Sequence, residues 1–349
     1  MIVKRIALRT LLVLAVACWA QQLLAWNDVG HLTVAKIAYE RLNDRQRQAV
    51  AKLLSQHPHR DSILLKDRPD GVSDDEWMFI RAAVWSDHIR PPKKLPRDEI
   101  ATHPIHKFHR GPWHYVNFPY HAGQKESTLP AQSLPGEGEN PTNILEQLEL
   151  SMKVLKGNTT VDSDRVVDIT DEENKAVRLC WLFHLMGDLH QPLHVATLID
   201  EKKFPKGSHA DLGGNLIAVR SHIGAPPHKL HGFWDDRLGT DSHYPTVQGL
   251  AEILTHDPHM KTEQLPEFAE HRDFKHWAAE SYAAAKTTAY RDGHLSFALS
   301  DDLDRKRITN DDVPVLPQGA EFAANKLARC RVALAGYRLA ELLKQIVGE

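Results

Sequence analysis

The chain holds only 3 cysteines among 349 residues. It also lacks any apolar run long enough to cross a bilayer; the longest, residues 10–20, is too short. It has no excess of positive charge: Lys and Arg total 43 against 46 Asp and Glu, a formal net charge of -3. A broad basic surface for holding nucleic acid is therefore not expected, although an enzyme whose positive charge comes from metal ions stays open. Neither a G-x-S-x-G nucleophile elbow nor a P-loop occurs, so serine hydrolysis and nucleotide triphosphate hydrolysis have no support. There is no internal repeat, low-complexity tract or composition shift that would mark a linker.

What is present is an ordinary globular composition, 42% hydrophobic and 26% charged, long enough for a large core. The outlier is histidine, with 22 residues. Folding needs no such number.

The N-terminus reads as a targeting segment. Lys4, Arg5 and Arg9 form a basic region, residues 10–20 an apolar one, and "QQLLA" ends on a small residue. Cleavage after Ala25 would make Trp26 the first residue of a secreted or periplasmic protein. A rival reading takes "LAVAC" (14–18) as a lipoprotein box with Cys18 as anchor. Cleavage after Ala25 leaves Cys180 and Cys330. They could pair across a long loop, worth about 4–5 kcal/mol in the chain-entropy model, or stay as two buried thiols.

Helical periodicity dominates from there on. Helices are expected over 31–42, 45–56, 74–90, 143–157 and 323–347. Another is expected to begin at "TDEE" (170–173), where Thr170 and Glu173 form a capping box. Only 215–222 and 113–118 look extended. The expected architecture is one mainly α catalytic domain over 26–349, with at most a small β-hairpin, after a signal peptide at 1–25.

The chemistry concentrates in "CWLFHLMGDLHQPLH" (180–194). Residues four apart share a helix face, so His184 and Asp188 point the same way, as ligands of one metal would. Pro192 should end or bend the helix and aim His194 elsewhere. His231 and Asp235 repeat the same spacing. Asp87 in "WSDH", His114 in "PWHYVNF" and His31 in "WNDVGH" complete the set. Each alone is a common structural pattern; five in one chain are harder to dismiss. Histidine and carboxylate without thiolate favour a catalytic Zn²⁺ over a structural one. His103, His106 and His109 ("HPIHKFH") and "HPH" (57–59) have no carboxylate beside them and are expected to bind no metal. His190 lies off the ligand face and is expected to support a ligand. Cys180 shares the His184 face but is expected to pack or to form a disulfide.

"WNDVGH", "WSDHIR", "WHYVN", "HLMGDLHQPLH", "DLGGN" and "LHGFWDD", in this order, resemble the zinc-dependent single-strand nucleases and 3'-nucleotidases, which share a helical fold with zinc-dependent phospholipases C. The resemblance implies three Zn²⁺. Asp87, His114, His184 and Asp188 would hold one, and His194, His231 and Asp235 a second. His31, the bridging Asp188 and the amine and carbonyl of Trp26 would hold the third. It implies attack by a zinc-bound hydroxide on single-stranded DNA or RNA, and on 3'-nucleotides, with 5'-phosphate products. Six metal charges against three aspartates would leave an excess of about three for a phosphodiester. Asp87 would orient the water, and Arg90 would contact the phosphate, unless it is a helix-end surface residue. Tyr115 would stack on a base, unless it is core. Asn117 stands where several members have Asp. Asn215 would line the site, or its glycines merely form a turn. A monomer without stable membrane association is expected. The rivals are a zinc phospholipase C and a non-catalytic zinc-binding protein.

Overall fold

The computed structural model describes residues 26–123, 128–134, 142–159, 165–166, 168–204 and 209–348. The expected signal peptide lies outside the described residues.

Helices carry the architecture: α1 (Asp28–Glu40), α2 (Asp44–Leu54), α3 (Asp74–Ala82), α4 (Trp85–His88), α5 (Arg97–Thr102), α6 (Ile144–Leu155), α7 (Asp171–His190), α8 (Leu230–Asp235), α9 (Tyr244–His256), α10 (Pro266–Glu270), α11 (Phe274–Ala284), α12 (Ser300–Asp304) and α13 (Ala320–Val347). The fold is mainly α, as expected. The β content differs from the single hairpin: β1 (Phe118–His121) pairs in parallel with β2 (Ala196–Ile199). A second sheet has the order β4 (His228–Lys229), β3 (Ile217–Val219), β5 (Ala298–Leu299).

The central element is α7. Its start is the expected capping box: Thr170 Oγ accepts from Glu173 N–H, and the Glu173 carboxylate accepts from Thr170 N–H. From Ala176 to its end nearly every residue is buried. It packs against α1, α2, α3, α4, α6, α11 and α13. Aromatic edges close this core: Trp181 meets Trp85 and Trp113 edge to face. Its polar face is therefore held inside the molecule.

The helix expected over 74–90 is broken. Ala83 and Val84 bond tightly back to Ile80 and Arg81, and α4 begins afresh at Trp85. The break frees the Ala83 carbonyl, which accepts Nδ1–H of His184 at 2.7 Å. An apolar run continues through the break, so the pattern gave no sign of it.

At its other end α7 stops at His190, before Pro192, and a 3-10 turn covers Pro192–His194. Residues of α11 and α13 satisfy the last carbonyls: Ser281 Oγ donates to Leu189 O, and Arg331 Nε donates to His190 O at 3.3 Å. Glu280 of α11 accepts from both Arg331 and Arg338 of α13. Burial alone would raise its carboxyl, but the hydrogen bond and charge of Arg338, with those of Arg331, pull it down to about 2.

Cys180 and Cys330 are free thiols, so the disulfide alternative is corrected in favour of two shielded thiols. Cys180 sits fully buried in mid-α7, and burial pushes its thiol well up. Among the described residues, no helix is long and apolar enough to cross a membrane.

Candidate metal centre

Six elements bring the predicted residues together. α1 carries His31 and α4 carries Asp87. The turn Gly111–His114 supplies His114, and α7 supplies His184 and Asp188. The turn after α7 presents His194, and α8 presents His231 and Asp235. Asn27 ties two of these parts together. It caps α1, its N–H donates to Asp235 O at 3.3 Å, and its side chain donates to Asp236.

Three groups result: His31, His184 and Asp188; Asp87, His114 and His184; and His194, His231 and Asp235. Within each, potential ligand atoms lie within 4.8 Å of one another, and all are buried. The first two share His184. Asp188 also reaches the second, because its Oδ2 lies 2.9 Å from His114 Nδ1 and 3.1 Å from His184 Nε2. The His31 and His184 rings stack with centroids 4.0 Å apart.

The donor chemistry fits bound cations. His194 Nδ1–H donates to the His114 carbonyl at 2.6 Å, and His231 Nδ1–H donates to the Gly213 carbonyl at 2.7 Å. Those bonds assign the protons to Nδ1, which leaves the two Nε2 lone pairs facing each other 3.1 Å apart. Facing lone pairs repel. Two nitrogens each about 2.0–2.1 Å from one tetrahedral zinc would stand at a similar separation. His114 Nε2 is buried without a hydrogen-bond partner among the described residues, and His31 Nε2 and Asp188 Oδ1, also buried, face each other at 3.3 Å without hydrogen-bond geometry. Such groups are costly unless something satisfies them.

The electrostatics agree. Burial disfavours a charged imidazole at His184, yet Asp188 and Asp87 outweigh it and hold its pKa at about 9. The site thus demands positive charge. Burial and neighbouring His194 push His231 down to about 3, which keeps its ring neutral and available as a ligand. Burial, with the carboxylates of Asp236, Asp188 and Asp87, pushes Asp235 well up despite its bond from Gln191.

Over these groups opens a pocket of about 380 Å³ lined by Arg90, Tyr115, Asn117, Asn215, Leu212 and His109, among others. Arg90 donates to Asp87 Oδ1 at 2.9 Å. Its side chain is 26% exposed, so it spans ligand and solvent rather than lying on the surface. Tyr115 is half-buried in the pocket wall and not in the core. Asn215 holds the Leu212 carbonyl at 2.8 Å. Trp26 is buried, immediately before the α1 cap.

One sequence reading needs correction. His190 supports no ligand: its Nδ1 bonds Met186 O and its Nε2 faces Arg338. The helix ends there and turns that ring toward α13. Gln191 does the expected work, donating to Asp235 Oδ1 at 2.9 Å while accepting from Leu193 N–H. His109 belongs to no metal group but lines the pocket, 6.4 Å from the His114 ring. His57 and His59 pack against Trp85.

Sequence reasoning also missed Asp211. It accepts from Thr197, Tyr290, Leu198 N–H and Gly214 N–H. It thereby fixes the turn whose Gly213 carbonyl orients His231. Gly213 has φ +61°, and a Cβ there would stand 2.4 Å from Leu193 O.

A family model described as S1/P1 nuclease matches residues 26–348. Endonuclease 2 of Arabidopsis thaliana is 25% identical over 337 residues, covering 93% of this chain and 91% of its own. Endonuclease 4 of the same plant is 25% identical over 336 residues, 93% and 89%. Endonuclease 3 is 29% identical over 222 residues, 62% and 55%. With nearly the whole described chain matched and the expected His and Asp residues gathered in one centre, the protein belongs to the S1/P1 nuclease family.

Proposed function

We propose that this protein is a secreted, zinc-dependent phosphodiesterase that cleaves single-stranded DNA and RNA to 5'-phosphate products and hydrolyses 3'-mononucleotides. The observation that carries the reading is the cluster of three buried His/Asp groups, two of which share His184, beneath an open pocket. Imidazoles and carboxylates without thiolate suit catalytic zinc. Asp87, His114, His184 and Asp188 would hold one ion, and His194, His231 and Asp235 a second. His31 and Asp188, with the amine and carbonyl of Trp26, would hold a third.

Bound there, zinc ions supply positive charge for a phosphodiester and bring the pKa of water toward neutrality. The chain's own residues do the rest. Arg90 lines the pocket, where its planar guanidinium takes phosphate oxygens. Its bond to Asp87 Oδ1 fixes that carboxylate, which orients the attacking water. Water adds to phosphorus as the bond to the 3'-oxygen breaks, leaving a 5'-phosphate and a 3'-hydroxyl. Tyr115 offers a ring face to one base, and Asn117, able to donate and accept, meets the base edge. A paired and stacked base cannot enter such a pocket, which accounts for a single-strand preference. Asn215 donates to the Leu212 carbonyl and so holds that part of the pocket lining in place.

Removal of residues 1–25 belongs to the same reading, since only it would give Trp26 a basic amine for the third group. The family match begins at that residue, which supports the same cleavage point. The test is hydrolysis of single-stranded DNA, RNA, a 3'-mononucleotide and a phospholipid, before and after chelation and zinc return. Activity that survives complete zinc removal, or activity on lipid alone, sinks the reading. N-terminal sequencing of the secreted protein must begin at Trp26.

A further inference from the structure

Asp211 is fully buried, and its hydrogen bonds come from neutral donors. Thr197 Oγ1 and Leu198 N–H of β2 donate to Oδ1 at 2.9 and 2.8 Å. Tyr290 Oη and Gly214 N–H donate to Oδ2 at 2.9 and 2.8 Å. Even against these four bonds, burial pushes the carboxyl up to about 6. A buried carboxylate is a costly way to fill space, and an apolar side chain would pack at lower cost.

Its two oxygens hold different parts of the metal centre. Strand β2 begins two residues after His194. Gly214 follows Gly213, whose carbonyl accepts Nδ1–H of His231 at 2.7 Å. One carboxylate thus joins the backbone on both sides of the His194–His231 pair, whose Nε2 atoms stand 3.1 Å apart. The turn on the His231 side is strained: Leu212, Gly213 and Gly214 all have positive φ, and Leu212 is branched.

The fourth donor arrives by an equally unusual path. Helix α11 runs into a π-helical turn, Ala285–Ala289, and Tyr290 stands at its end. Arg291 and Asp292 follow, both left-handed at φ 52°. Gly293 then passes so close to Gly123 that a Cβ would stand 2.9 Å from its nitrogen. The Tyr290 ring stacks on Tyr120 of β1, with centroids 5.7 Å apart. Burial and the Asp211 charge push its phenol well up, so the hydroxyl keeps its proton and donates. Strain persists where the surroundings over-determine it. Here it sets one hydroxyl on one carboxylate.

We propose that Asp211 and Tyr290 are a positioning pair for the metal group of His194, His231 and Asp235, acting through β2 and the Gly213 carbonyl. The inference rests on the metal-dependent function given above. Neither residue touches metal or substrate. Each fixes the backbone that sets the direction of a ligand ring.

The test compares Tyr290→Phe, Asp211→Asn and the double variant with the unmodified protein. Tyr290→Phe deletes the hydroxyl and leaves the ring on Tyr120. Asp211→Asn keeps the size but turns an N–H toward one pair of donors. Zinc retention is read by chelator competition, and nuclease kinetics are read against added zinc. One class of zinc site should weaken about tenfold in Tyr290→Phe and up to about 100-fold in Asp211→Asn. Excess zinc should restore kcat of Tyr290→Phe, with KM unmoved throughout. The double variant should be no weaker than Asp211→Asn, because both changes act through one carboxylate. Leu54→Ala, in the core of α2, which carries no residue of the centre, supplies a control for general destabilisation. Unchanged zinc retention in Tyr290→Phe and Asp211→Asn, additive losses, or losses matched by Leu54→Ala at equal melting temperature would overturn the proposal. Site-selective zinc loss in a protein that hydrolyses no phosphoester would sink the nuclease function and leave this pair's role standing.

Discussion

Gly187 on α7 lies against the His31 ring on α1: a Cβ at position 187 would stand 2.5 Å from Nδ1 and 2.7 Å from Cε1. Glycine inside a helix costs about 0.5–1 kcal/mol relative to alanine. Here it lets two helices bring His31 onto His184. Gly187→Ala should therefore displace His31 rather than stabilise α7. Metal bound per chain should fall, and activity should drop about tenfold or more, since small displacements at a catalytic centre are costly. Metal analysis with a nuclease assay checks it. Full metal content and activity would show that the ring yields freely.

Much of the centre was legible because its ligands sit at helical spacing: His184 with Asp188, and His231 with Asp235. The capping box at Thr170 placed their helix, and Pro192 placed its end. Other features left no periodic trace. The strands run two to four residues, too short for alternation to register. The break at Ala83 interrupts an apolar run without proline or glycine. Whether His190 or Gln191 supports a ligand depends on how a helix unwinds, which spacing does not state. The signal for Gly187 was present, as a helix-interior glycine beside a ligand pair.

Gln191 gives a second prediction. Its amide donates to Asp235 and its carbonyl accepts from Leu193 N–H, so it locks the carboxylate to the turn that carries His194. Gln191→Ala removes both bonds without touching a ligand. Partners of this kind are worth about 10–100-fold in metal affinity. Chelator competition should show a loss of that order at one class of site. Unchanged metal retention would show that Asp235 is positioned without Gln191.

Tyr115 gives a third. Its ring is half-buried in the pocket wall, and stacking on a base contributes about 1–3 kcal/mol. Tyr115→Phe keeps the ring face and should retain the activity. Tyr115→Ala should raise KM for single-stranded DNA about 5- to 150-fold, from those energies. If Phe and Ala lose equally, the hydroxyl matters and stacking does not.

The Glu280 network predicts the acid limit of stability. Arg331 and Arg338 are buried, and their shared counter-charge is Glu280. The folded carboxyl titrates at about 2, below its ordinary value of 4.5. A depressed carboxyl contributes stability that is fully present above the unfolded pKa and lost as pH falls toward the folded one. Thermal melts should therefore show this contribution intact above about pH 5 and declining toward about pH 2. Glu280→Gln keeps the shape but removes the charge, leaving two buried guanidiniums uncompensated. Breaking such a pair costs about 3–5 kcal/mol. The difference in melting temperature between Glu280→Gln and the unmodified protein should be large at neutral pH and shrink as the pH falls through that window. A difference that stays constant with pH would mean that charge at Glu280 is not what holds α11 to α13. The same melts carry a functional readout. Arg331 also bonds the His190 carbonyl at the end of α7, so loosening this network should lower metal retention before the protein unfolds.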